Sequence, residues 1–148
     1  MRRLVVLLVT TAALALAGGC ASRYADRAGI PAPTMGDAPR VQVIRSGGFA
    51  GVRDVISVDP NGRWTFTNRK ASSETGLMDA ATRNRLTELV NDPRLPAAAA
   101  RATPAPGCAD QFLYELHVDT DVYNFDACHG IESPLAEVLD LLQQATPF

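Results

Sequence analysis

Histidine is nearly absent: His117 and His129 are the only two in a chain of 148 residues. With so few bases available, and no G-x-S-x-G around Ser46 or any other serine, a nucleophile–base pair has little to be built from. The chain has no C-x-x-C, no phosphate-cradling glycine loop, no dinucleotide fingerprint and no pair of carboxylates at a diagnostic spacing. A zinc site can be drawn from Cys108, Cys128, His117 and His129, but it lacks ligand spacing and competes with a disulfide for its sulfurs. Asp119-Thr120-Asp121 has too few oxygens at fixed intervals for a calcium loop and reads as a solvated turn. The expectation is a non-enzymatic protein with no cofactor and no metal.

Lysine is scarcer still, with Lys70 alone among 14 basic residues. The preference for Arg and Ala is a codon bias of the kind found in GC-rich genomes, such as those of actinobacteria. All 16 acidic residues follow position 20, whereas Arg2 and Arg3 precede it. The remainder from Cys20 therefore carries 12 basic residues and a net charge of −4. A nucleic-acid partner, which needs a basic stripe, is not expected.

No apolar run reaches the roughly 20 residues of a spanning helix. Arg2 and Arg3 followed by apolar Leu4 to Leu16 instead read as an export signal. Ala17, Gly18 and Gly19 before Cys20 resemble the lipobox of bacterial lipoproteins, with Leu16 one place further out than is usual. That resemblance implies cleavage after residue 19, acylation of Cys20, and anchoring at the outer face of the cell membrane. Residues 20–39, rich in Ala, Pro and Gly, read as a tether with a span of about 25 Å. Residues 40–148 are then one domain, expected to be a monomer.

With Cys20 acylated, Cys108 and Cys128 form an even pair in an exported chain and are expected to be disulfide-bonded. Between them QFLYELHV and VYNFDA flank the turn DTD, so the cysteines lie at the open end of one hairpin. Upstream, RVQVIR, VRDVISVD and RWTFTNR read as strands, the last two joined by the turn Asp59-Pro60-Asn61-Gly62. KASSETGLM reads as polar loop. Asp79 caps a predicted helix to about Asn91 with Leu86, Leu89 and Val90 inward. PAAAARATPAPG reads as a linker with at most one helical turn. Ser133-Pro134 reads as a helix start, N-cap then Pro at the first position, ahead of Leu135, Val138, Leu139 and Leu142. The order βββ-α-ββ-α predicts an α+β domain: an antiparallel sheet, made of a meander and the disulfide-linked hairpin, covered by two helices.

Between the first two strands lies Arg45-Ser46-Gly47-Gly48-Phe49-Ala50-Gly51. Its glycines permit the positive φ of a tight connection. Phe49 either folds back over the meander or projects as a binding tip, and composition does not decide between them. VQVIRSGGFAGVRDVISVD resembles the opening of the emfourin, or protealysin-inhibitor, family, in which a strand, an R-[ST]-G-G-[FL]-A-G turn and a second strand occur in that order. The helix containing Leu86 and Leu89, and the strand FLYELHV, follow in the expected sequence.

The resemblance implies a stoichiometric protein inhibitor of thermolysin-type zinc metallopeptidases, with Arg45 to Gly51 as contact candidates. Phe49 would then suit the large apolar pocket such enzymes place beside the scissile bond. A lipid anchor, the stretch DPNGRWTFTNRKASSETG and a disulfide are additions to the family pattern. Two other readings fit the same residues: an envelope-interaction lipoprotein without a peptidase target, and a small-ligand carrier with a pocket near Trp64.

Overall fold

The computed structural model describes residues 38–104, 107–108, 110–128 and 130–148. The expected export signal, Cys20 with its expected acylation, most of the expected tether and His129 lie outside the described residues.

Six strands form one antiparallel sheet in the order β4-β3-β2-β1-β5-β6. They are β1 (Val41–Gly47), β2 (Val52–Val58), β3 (Arg63–Thr67), β4 (Ser73–Leu77), β5 (Phe112–Val118) and β6 (Asp121–Asp126). Three helices accompany them: α1 (Ala80–Val90), α2 (Leu95–Arg101) and α3 (Leu135–Ala145). The expected α+β class and antiparallel meander-plus-hairpin sheet are therefore present.

Period-two alternation decides the core, because successive side chains of a strand face opposite ways. Val41 and Val43 of β1, Ile56 and Val58 of β2, Phe66 of β3, Leu116 and Tyr114 of β5 and Phe125 of β6 are buried on one face. Leu86, Leu89 and Val90 of α1 and Leu135, Val138, Leu139 and Leu142 of α3 complete the same cluster. These helical residues recur at the three- and four-residue spacing of a single helix face. Tyr114 and Phe125 stack with ring centroids 5.2 Å apart. On the opposite face of the sheet, Gln42, Ile44, Val55, Leu113, Glu115 and His117 are half-buried or exposed.

Three sequence expectations are corrected. KASSETGLM is not simply loop: it turns at residues 68–72 and returns as the edge strand β4, pairing Arg63↔Leu77 through Thr67↔Ser73. β4 carries little apolar alternation because four of its five residues are exposed, and pattern reading depends on a buried face. Its one structural marker is Gly76, opposite Trp64, where any Cβ would overlap the indole.

PAAAARATPAPG is likewise more than a linker, since its first six residues, with Leu95 ahead of them, form α2 with Leu95, Ala98 and Ala99 buried. Pro96 stands in the first turn, where the absent N–H is not missed, and the alanines are strong helix formers. Three helices, not two, therefore accompany the sheet. Finally, Ser133 is not the N-cap of the last helix. α3 begins at Leu135 after a cis Ser133–Pro134 peptide, without a side-chain cap.

Asp79 does cap α1, accepting the Thr82 N–H at 2.9 Å. Its Oδ2 also accepts the Thr82 hydroxyl at 2.6 Å, and the two bonds hold its carboxyl below the usual range.

Candidate functional site

The β1–β2 connection projects from one end of the sheet. Register runs unbroken from Val41↔Val58 to Gly47↔Val52, so residues 48–51 must reverse the chain in four residues. Gly47, Gly48 and Gly51 supply the positive φ values, +94°, +67° and +57°. The Gly51 N–H closes the turn on the Gly48 carbonyl at 3.0 Å.

This leaves Phe49 with no surface to pack on. It is 94 % exposed, against 43–68 % for the other exposed large apolar residues, Leu77, Leu113 and Val122. The alternative in which the ring folds back over the meander is therefore excluded by its position.

The turn is held from both sides. The Gly48 N–H donates to the Gln111 carbonyl at 2.9 Å, across the β1–β5 seam. Gly47 lies against that carbonyl so closely that an added Cβ would stand 2.7 Å from its oxygen. On the other side, Arg69 Nη1 donates to the carbonyls of Ala50 and Gly51, both at 3.0 Å. A two-acceptor guanidinium contact fixes orientation as well as position. Phe49 is thus an exposed ring on a backbone whose flanking peptides are tied down.

Arg45 has a different place from the rest of its segment. It faces the covered side of the sheet, directly opposite Asp54 on one neighbour and Tyr114 on the other. Its Nη2 lies 2.6 Å from Asp54 Oδ2, and its guanidinium packs over the Phe112 and Phe148 rings at 5.4 and 4.8 Å from their centroids. Arg45 anchors the base of the tip from within and is not free to reach a partner. Burial raises the Tyr114 hydroxyl above its ordinary value, with the Arg45 charge opposing that shift. Ser46 points to the other face, paired between Arg53 and Leu113.

Cys108 and Cys128 are disulfide-bonded, with Cα atoms 6.1 Å apart across a sequence separation of 20. The bond sits beside the buried Asp126, whose Oδ1 accepts the Cys128 N–H at 2.9 Å and whose Oδ2 accepts Gln111 Nε2 at 3.0 Å. Gln111 thereby links the disulfide end of the hairpin to Gly48. The competition between disulfide and zinc for the two sulfurs is decided for the disulfide, and His117 pairs with Glu115 on the open sheet face. Among the described residues, no three His, Cys, Asp or Glu side chains gather where a metal could sit.

Trp64 packs over Gly76. A groove of about 700 Å³ lies away from it, between α1 and α3. Leu77, Leu89 and Leu141 line it together with Arg85, Glu137 and Asp140. Arg85 bridges its two walls, bonding Glu137 at 2.5 Å.

No family model matches the chain, and no curated protein matches it.

Of four residues that shape the tip, Asp54, Arg69, Gln111 and Asp126, the last three carry no local signal in the sequence. Arg69 reaches the Ala50 and Gly51 carbonyls from another turn, and Gln111 meets Asp126 across the β5–β6 hairpin. For Asp54 alone there was a usable clue: a carboxylate inside an alternating strand calls for a cation directly across the hairpin.

Proposed function

We propose that the chain is an exported, lipid-anchored protein whose domain is a non-enzymatic binding module, a stoichiometric inhibitor of thermolysin-type zinc metallopeptidases. The observation that carries this reading is the combination at Phe49 of near-complete exposure and a tied-down backbone. A large ring held out of the core forgoes the free energy of leaving water unless a partner covers it. Holding it on a rigid turn lowers the ordering entropy that binding would otherwise cost.

A peptidase cleft receives an extended segment and keeps one zinc position open. The turn offers such a cleft a bulky apolar residue between small ones that let the backbone approach closely. In this reading Ser46, Gly47, Gly48, Phe49, Ala50 and Gly51 form or flank the contact, and Arg45 positions them. Cys20 supplies the anchor, so inhibition acts at the outer face of the membrane.

The test is a titration of thermolysin-type peptidases with the full chain, its disulfide formed. Loss of activity with an end point at one equivalent supports the reading. Full activity at large excess of folded protein across the panel would leave the chain an envelope-binding lipoprotein whose tip has another partner.

A further inference from the structure

A second loop lies against the tip, and it is basic. Asn68 follows β3 and closes the turn at residues 68–72, its Oδ1 accepting the N–H groups of Lys70 and Ser72 at 3.0 and 3.1 Å. This turn presents Arg69 to the Ala50 and Gly51 carbonyls and leaves Lys70, the only lysine of the chain, exposed beside it. Arg53, exposed at the start of β2, pairs with Ser46, which in turn pairs with Leu113 on β5. These three lie in one row on the open face of the sheet and share a shallow depression of about 290 Å³. Two of the four exposed large apolar residues, Phe49 and Leu113, therefore stand at this end together with Arg53, Arg69 and Lys70.

Charge separates this end from the rest of the molecule. Acidic residues outnumber basic ones, 16 to 14, yet residues 46–53 and 68–73 contain three cations and no carboxylate. Three nearby acids are engaged: Asp54 by Arg45, Glu115 by His117, and Asp126 by Gln111 and the Cys128 N–H. Asp110, in the loop before β5, and Glu74, directly after residues 68–73, are exposed and offset two of the three cations.

We infer that the contact surface extends beyond the tip to Arg53, Lys70 and Leu113, and that it fits a protein whose apolar pocket is rimmed by carboxylates. This rests on the inhibitor reading for the partner's identity, the partner then being a peptidase with an acidic cleft rim. A protein cleft is favoured over an anionic membrane because the turn is fixed by three glycines at positive φ and by paired carbonyls. A fluid headgroup layer has no shape for a fixed turn to match.

Arg53 and Lys70 act at the rim, so they govern encounter and its salt dependence, whereas Phe49 governs how long the complex lasts. The test uses the full chain carrying Cys20→Ser, so that no acyl chain can direct it to lipid. Association and dissociation rates are measured with the thermolysin-type panel at low and high sodium chloride. The expected result is that Arg53→Glu with Lys70→Glu slows association roughly tenfold and flattens its dependence on salt. Phe49→Ala should speed dissociation and leave the salt dependence in place.

Inhibition that is indifferent to both charge reversals and salt overturns the extended surface while the inhibitor reading stands. If no peptidase binds, two further probes decide. Phosphatidylglycerol vesicles bound in a Phe49-dependent way would assign the surface to lipid and overturn the inference. A photo-crosslinking residue in place of Phe49 would be expected to give, in cells, a protein adduct that the double reversal abolishes. With such an adduct the surface survives and the peptidase assignment alone falls; absence of any adduct overturns it.

Discussion

Replacing Phe49 with Ala separates binding from folding more cleanly than any other change in the chain. The ring is 94 % exposed, so its removal takes almost no apolar area from the core. Surface changes of this kind usually alter stability by no more than about 0.5 kcal/mol. If a partner buries the ring completely, the same deletion removes about 1.5–3 kcal/mol of transfer free energy. That corresponds to a loss of affinity of roughly 10- to 150-fold. The assay is paired: urea unfolding of the variant, and its inhibition constant against a peptidase that the wild-type chain inhibits. The unfolding curves should superimpose while the inhibition constants separate. A destabilised variant would mean the ring packs within the fold, and an unchanged inhibition constant would mean that contact lies elsewhere; either refutes the reasoning.

The glycines of the turn should be graded by what surrounds them. Gly51→Ala meets only the end of a side chain, Arg69 Nη1 at 3.0 Å, so its cost is the left-handed backbone, roughly 1–2 kcal/mol, together with a weakened Arg69 brace on the Ala50 and Gly51 carbonyls. Gly47→Ala drives a Cβ onto the Gln111 carbonyl at 2.7 Å and should be clearly worse by urea unfolding, above about 2 kcal/mol. Reduction of Cys108–Cys128 opens a loop with a sequence separation of 20 and should lower stability by about 3 kcal/mol in the chain-entropy account. Amide shifts at Gly48 should change with reduction, because Gln111 and Asp126 join the two places.

Acid should destabilise the domain in a predictable window. Arg94 pulls the Asp92 carboxyl down to about 2, Thr82 holds Asp79 low, and Ser133 with Arg85 holds Glu137 low. Folded values below the unfolded ones mean that the stabilisation is complete above about pH 5 and fades as pH falls toward 2. The thermal midpoint should drop across that interval, and Asp92→Asn should flatten part of the drop.

The sequence made those parts of the fold legible that bury one face and expose the other. Val41 and Val43, Phe66 with the half-buried Trp64 beside it, and the Leu135–Leu142 stripe all repeat at the period of their element and form or flank the core. Asp79 was readable because a helix cap needs nothing beyond its own first turn. β4 was not readable, since an exposed edge strand has no buried face to impose a pattern. α2 was obscured by prolines whose positions, before and after the alanine run, are compatible with a short helix.

At the site, the glycines announced the turn, because positive φ is a local demand. The orientation of Phe49 depended on what lay nearby in space, and so did the Arg69 and Gln111 bonds that brace its turn. No pattern within residues 45–51 encodes them.

The central claim is that the tip occupies a peptidase cleft beside the zinc. Its most direct test is competition between the full chain and a small hydroxamate that ligates that zinc. The account predicts mutual exclusion: raising hydroxamate displaces the chain, and the apparent affinity falls in proportion to hydroxamate occupancy. A ternary complex, with chain and hydroxamate bound together and neither weakening the other, would contradict it.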